Sequence, residues 1–141
     1  MNIFDFVKFS IKEEHKSINQ LLDKLDNSLL ATPIGDDDSI GKRLMHMTAA
    51  EYSMAIYVYQ QEEDEKKEFP ITIEGLRESF KRSEKRHLET IDALTENDLD
   101  KVYVSKVSGK EYSYTWLLYH FIEHLSTHRG QVATSLRLAS Q

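Results

Sequence analysis

The chain has 141 residues and 16.4 kDa, with eighteen Lys and Arg against twenty-four Asp and Glu and a net charge of −6. That acidic balance argues against binding a nucleic-acid backbone, which needs a basic face to displace counterions, and against docking on an anionic membrane surface. The lack of cysteine excludes a disulfide framework, a thiolate metal site and a thiol nucleophile on this chain.

The segment from 4 to 30 shows Ile11, Ile18, Leu22, Leu25 and Leu29 at three- and four-residue spacing, which predicts a first helix. Its opening residues, Met1-Asn2-Ile3-Phe4-Asp5, carry no secretory pattern. Pro33 and Gly35 punctuate a loop, and Ser39 is the expected cap of a second helix over 40–61, with Leu44, Met47, Met54 and Val58 on one stripe. The charged run 62–68 predicts a solvated connection closed by Pro70. Thr72 is the expected cap of a third helix over 73–95, carrying Ile73, Leu76, Phe80, Leu88, Ile91 and Leu94. Val102, Val104 and Val107, with a turn signal at Ser108-Gly109, predict extended chain or a short two-stranded excursion. The fourth helix is expected over 113–139, with Leu117, Phe121, Leu125, Val132 and Leu136 on its apolar side. No apolar run approaches the roughly twenty residues that span a bilayer. Together these features predict an all-α, up-and-down four-helix bundle with one longer crossing, a single domain over 1–141, in the cytoplasm.

The six histidines are unevenly placed. His120, His124 and His128 follow one another at four-residue intervals on the fourth helix. Residues i and i+4 differ by about 40° on the helix wheel, so His124 and His128 can put imidazole nitrogens on one ion. His120 lies about 80° from His128, which sets it outside that pair. The apolar stripe of the helix passes through His124 and His128, so both are expected to point at the bundle interior. A third ligand must come from another helix, and His46 is the candidate. Ala49 and Ala50 leave room beside it, and Ser53 and Tyr57 align with it farther along. Three neutral imidazoles would hold an ion of the zinc or nickel class and leave coordination positions open.

Other polar residues carry blander expectations. Glu51 falls on the apolar stripe of the second helix, where a carboxylate must be paired or protonated, and a Lys or Arg is the expected partner. It sits about 140° round the helix from His46, too far to share an ion. His15 and His87 are expected to be ordinary semi-buried histidines, and Trp116 with the seven tyrosines to serve packing.

The octapeptide His124-Leu125-Ser126-Thr127-His128-Arg129-Gly130-Gln131 resembles the H-x-x-x-H-R-G-Q signature on the last helix of the DinB/YfiT-like family. The stretch Ser39 to His46 is similar to the segment carrying that family's first histidine. The resemblance implies a helical bundle with a divalent ion on His46, His124 and His128, and it makes His120 a neighbour of the site. It implies that Gly130 permits close approach of a neighbouring helix, while Arg129 and Gln131 brace the site or a dimer contact. Some relatives transfer bacillithiol, mycothiol or glutathione, and relatives are often dimers. The resulting expectation is metal-dependent transfer of a low-molecular-weight thiol to a small electrophile, with a homodimer allowed by exposed Tyr and Met side chains. Tyr57, Ser53 and His120 are then candidates to line the pocket or steer a proton. The alternatives are a metal-dependent hydrolase, with Glu51 repositioned as a base, and a non-enzymatic metal-binding stress-response bundle.

Overall fold

Four side-chain oxygens decide where the helices begin. The carbonyl of Asn2 accepts from the Asp5 amide, Ser39 from Lys42, Thr72 from Gly75 and Ser113 from Trp116, each satisfying an amide that the first helical turn leaves unpaired. In the computed structural model, which describes residues 1–65 and 67–140, these caps start α1 (Ile3–Asp23), α2 (Ile40–Tyr57), α3 (Ile73–Ala93) and α4 (Tyr114–Ala139). The caps at Ser39 and Thr72 fall where the sequence places them.

The helix ends differ from expectation in two places. Helix α1 stops seven residues before position 30, because Asp26 and Asn27 turn their side chains to other work. Asp26 accepts from the Leu29 amide at 2.9 Å, and Asn27 reaches across to the Ile73 amide at 2.8 Å, adding a second capping contact to α3. Leu29–Ala31 forms a 3₁₀ turn instead. Helix α2 stops at Tyr57 rather than Gln61. Gln60 sits at φ 55°, a left-handed residue that ends a helix, and the Tyr59 ring folds inward to meet Tyr114 edge-on at 4.9 Å.

Between α3 and α4 lie the strands β1 (Val102–Val104) and β2 (Glu111–Ser113), paired antiparallel with Tyr103 opposite Tyr112. Gly109 makes the turn at φ 71°. The expected excursion is therefore a short hairpin.

Two apolar clusters reveal the helix directions. One gathers Leu22 from the end of α1, Leu44 from the start of α2, Leu76 from the start of α3 and Val132 from the later part of α4. The other gathers Val7, Met54, Ile91 and Leu117 from the opposite ends. The helices thus run up, down, down and up, and α2 and α3 are parallel. Helix α3 packs on α1 and α2, and α4 packs on the same two, so α1 and α2 face one another across the diagonal of the bundle. The one longer crossing is the strap 58–72, which returns along the roughly 27 Å of α2 before α3 can begin. Its arrival is tight. A Cβ on Gly75 would lie 2.1 Å from the Pro70 carbonyl oxygen, so only glycine fits there. No helix among the described residues is long and apolar enough to cross a membrane.

Candidate metal centre and a buried carboxylate

Helix α2 contributes His46, and the facing α4 contributes His124 and His128 one turn apart. One ring nitrogen of each lies within 4.8 Å of the other two. The His46 ring centroid is 5.2 Å from that of His124 and 5.1 Å from that of His128. The expected three residues are therefore brought together. They do not point at the bundle interior: His46 is exposed and His124 and His128 are half-buried, so the cluster lies at the solvent-facing edge between α2 and α4. The apolar stripe of α4 goes inward through Leu125 and Val132, and the histidines ride its edge.

Hydrogen bonds position the rings. His128 Nδ1 lies 2.7 Å from the acceptor Gln131 Oε1 and 3.2 Å from the donor Arg43 Nη1. Arg43 Nη1 donates to the same amide oxygen at 2.7 Å, and Arg43 is itself held by Asp38 at 2.6 Å. The chain Asp38–Arg43–Gln131 thus holds the His128 ring in place. His128 Nε2 faces His124 Nε2 at 3.1 Å, close enough for one to donate to the other or for both to face one cation. Burial and the neighbouring His128 and His46 hold His124 down to about 4, and burial with His128 lowers His46 as well, so added protons are disfavoured. A tetrahedral zinc-class site has ligand nitrogens about 3.3 Å apart at its ordinary bond lengths, and the donor set fits a divalent cation.

The motif's remaining residues divide their roles. Arg129 reaches back to Glu14 at 2.9 Å and ties α4 to α1. Gly130 was expected to admit a neighbouring helix, but a Cβ there would meet nothing within 4 Å. His120 lies outside the cluster, stacked on Trp116 at 4.5 Å between centroids and hydrogen-bonded to Glu123. Ser53 and Tyr57 line a different space, a cavity between α2, α3 and the strap.

The larger departure concerns Glu51, His15 and His87. Glu51 is 3% exposed, and among the described residues it has neither Lys nor Arg as partner. His15 Nε2 from α1 lies 2.8 Å from both of its oxygens, His87 Nδ1 from α3 lies 2.8 Å from Oε2, and the Ser83 hydroxyl donates to Oε1 at 2.6 Å. Burial alone would raise the carboxyl, yet the hydrogen bonds and charge from His15 and His87 hold it at about 2. Burial alone would likewise lower His15, but Glu51, with Glu84 and Glu14, outweighs it and raises His15 above its ordinary value. The expected pairing and the expected semi-buried histidines are both corrected here. Only tertiary packing across the bundle diagonal could bring α1 to this carboxylate. A signal did exist in the sequence: Ser79, Ser83 and His87 recur every four residues on the buried side of α3, a polar column facing Glu51.

A family model described as the DinB superfamily matches residues 10–132, and the chain belongs to that superfamily. Solved structures of similar fold include a conserved protein from Enterococcus faecalis, 14% identical at TM-score 0.77 over 98% of this chain and 97% of that one. A DinB-like protein from Bacillus cereus is 21% identical at TM-score 0.74, over 90% and 86% of the two chains. Another from Bacillus subtilis is 16% identical at TM-score 0.70, over 96% and 92%. No curated protein matches the chain.

Proposed function

We propose that this DinB-superfamily protein is a divalent-metal-dependent enzyme that transfers a low-molecular-weight thiol of the bacillithiol type to a small electrophile. The observation that carries the reading is the convergence of three imidazoles, one of them held by Gln131 and Arg43, at a solvent-exposed edge of a chain without cysteine. His46, His124 and His128 are the residues that would hold the ion, zinc or nickel by the character of its donors. A bound ion of this kind supplies Lewis acidity that favours the thiolate of a cosubstrate. The protein's own part is to aim the three imidazoles. Arg43 and Gln131 do this for His128, and the His46 ring lies against those of His124 and His128. The thiol sulfur would bond to the electrophilic carbon, the leaving group departing with the carbon's former bonding pair and the thiol proton passing to solvent. The hydrolase reading loses its base, because Glu51 is occupied by His15, Ser83 and His87.

The test begins with elemental analysis of untagged protein and of the His124→Ala, His128→Ala double variant. Near-stoichiometric zinc or nickel is expected in the first and little in the second. Turnover of chloro-dinitrobenzene is then measured with bacillithiol, glutathione, cysteine or no thiol, with either ion added. Activity that requires both thiol and ion supports transfer. Hydrolysis of an ester without thiol would replace the reading with a hydrolase, and bound metal without any turnover would favour the binding bundle.

A further inference from the structure

The sequence places three carboxylates in a row before α2, Asp36-Asp37-Asp38, where the helix N-terminus favours any of them. The structure singles out the third. Asp36 and Asp37 are exposed, whereas Asp38 is half-buried in a loop that closes on itself. The Ile34 amide donates to the Asp38 carbonyl at 3.0 Å, the Ile40 amide donates to the Thr32 carbonyl at 2.9 Å, and Pro33 bridges to Ser39. The two side-chain oxygens of Asp38 then have separate partners. Oδ1 accepts from the Ser39 amide at 2.8 Å, and Oδ2 accepts from Arg43 Nε at 2.7 Å and from Nη2 at 2.6 Å.

Arg43 turns its remaining nitrogen to the histidine cluster. Nη1 lies 2.7 Å from Gln131 Oε1 and 3.2 Å from His128 Nδ1. The side chain that positions His128 is therefore a full positive charge in contact with a ligand of the proposed ion. Coulomb repulsion scales with the product of the charges, so a dication beside a lone guanidinium would be doubly disfavoured. The Arg43 and Asp38 side chains are 22% and 26% exposed, which leaves their fields only partly screened by solvent.

From this two-bond ion pair at the edge of the cluster, we infer that Asp38 is the counter-charge of the metal centre. Its carboxylate cancels the guanidinium that positions His128 and so sets how tightly the histidines hold a dication. The inference rests on His46, His124 and His128 as the ligands of the ion. Asp38 acts on that ion through its field, with Arg43 between them.

The zinc affinity of the untagged full chain is measured by competition with a chromophoric chelator in potassium nitrate. The two conditions are about 0.01 M and about 1 M salt, where the screening length is about 30 Å and about 3 Å. Asp38→Asn keeps the Oδ1 acceptor for the Ser39 amide and removes the charge. It should weaken zinc about 10-fold at low salt and less than about 2-fold at high salt. The same substitution on an Arg43→Gln background, where no ion pair is left to break, should still weaken zinc at least about 3-fold at low salt. That comparison decides the matter if Asp38→Asn alone does not fold. An Asp38→Asn penalty of equal size in both salts would overturn the inference, because the loss of a mechanical clamp is not screened. So would the lack of any penalty on the Arg43→Gln background. Zinc held by the histidines with unchanged affinity in Asp38→Asn sinks the counter-charge alone. A wild type that binds no zinc, or binds it equally in the His124→Ala, His128→Ala double variant, removes the metal reading and this inference with it.

Discussion

At the scale of single residues, Glu51 is where three helices meet. Its carboxylate receives α1 through His15 and α3 through Ser83 and His87, so removing its charge breaks a buried pair and weakens the contacts of three buried side chains. Breaking a buried pair in this way costs about 3–5 kcal/mol, and Glu51→Gln is expected to lose that much in urea unfolding while keeping its metal content. The pair also makes stability depend on pH, and the sign is fixed by which state holds the proton. His15 is raised, so its contribution is complete below the ordinary imidazole value of 6.5 and is lost as pH climbs through the folded value above it. Glu51 is lowered from 4.5 to about 2, so its contribution is present above the higher value and is lost as pH falls through the lower. The groups acting on this pair are His87 and Glu84 from α3, Glu14 from α1 and, toward Glu51, His124 from α4; both glutamates favour the charged form of His15. Denaturation midpoints followed from neutral pH upward should decline in the wild type and decline less in Glu51→Gln. Equal slopes would refute the ion pair. Gly130 offers the opposite case. It occupies the interior of α4 with open space around its missing side chain, so Gly130→Ala should raise stability by about 0.5–1 kcal/mol in the same assay.

At the scale of elements, the strap 58–72 follows from helix direction. Because α2 and α3 are parallel, the chain must travel back along the bundle, and a charged connection crosses the surface where a turn would have served antiparallel neighbours. Arg82 holds that crossing through Asp64, the Glu65 carbonyl and the Tyr52 hydroxyl, with its guanidinium 3.9 Å above the Tyr52 ring. Arg82→Ala is expected to speed proteolytic cleavage of the connection between α2 and α3 by at least 10-fold and leave amide exchange in the cores of α1 and α4 unchanged, as read by limited proteolysis and hydrogen-exchange mass spectrometry. Uniform acceleration across all helices would mean that Arg82 stabilises the whole bundle and not the strap.

At the scale of the whole molecule, the histidine cluster and the buried carboxylate lie on different sides of α2. The first joins α2 to α4, and the second joins α2 to α3 and α1. An ion on His46, His124 and His128 would cross-link two helices in the folded state only. At a free ion concentration 100-fold above Kd, linkage then adds about 2.7 kcal/mol to the unfolding free energy. Zinc or nickel added to chelator-treated protein should raise the urea midpoint accordingly, and the His124→Ala, His128→Ala double variant should show no shift. A shift of equal size in the variant would place the ion elsewhere.

How much was legible depended on whether a feature is local. The four helical stripes, the caps at Ser39 and Thr72, the valine-rich hairpin and the four-residue spacing of His124 and His128 are written in neighbouring residues, because a helix repeats every 3.6 positions and a cap acts within one turn. The octapeptide on α4 carried the superfamily with it. What only the tertiary structure decided are the contacts between helices far apart in sequence. Asn27 leaves α1 to cap α3, His15 crosses the bundle to Glu51, and the histidine cluster sits on an open edge although its helix stripe points inward. A periodic pattern tells which side of a helix is buried but not which partner helix lies there. Two packings with the same stripes can therefore pair the same buried carboxylate with different cations, and here the diagonal placement of α1 and α2 chose His15.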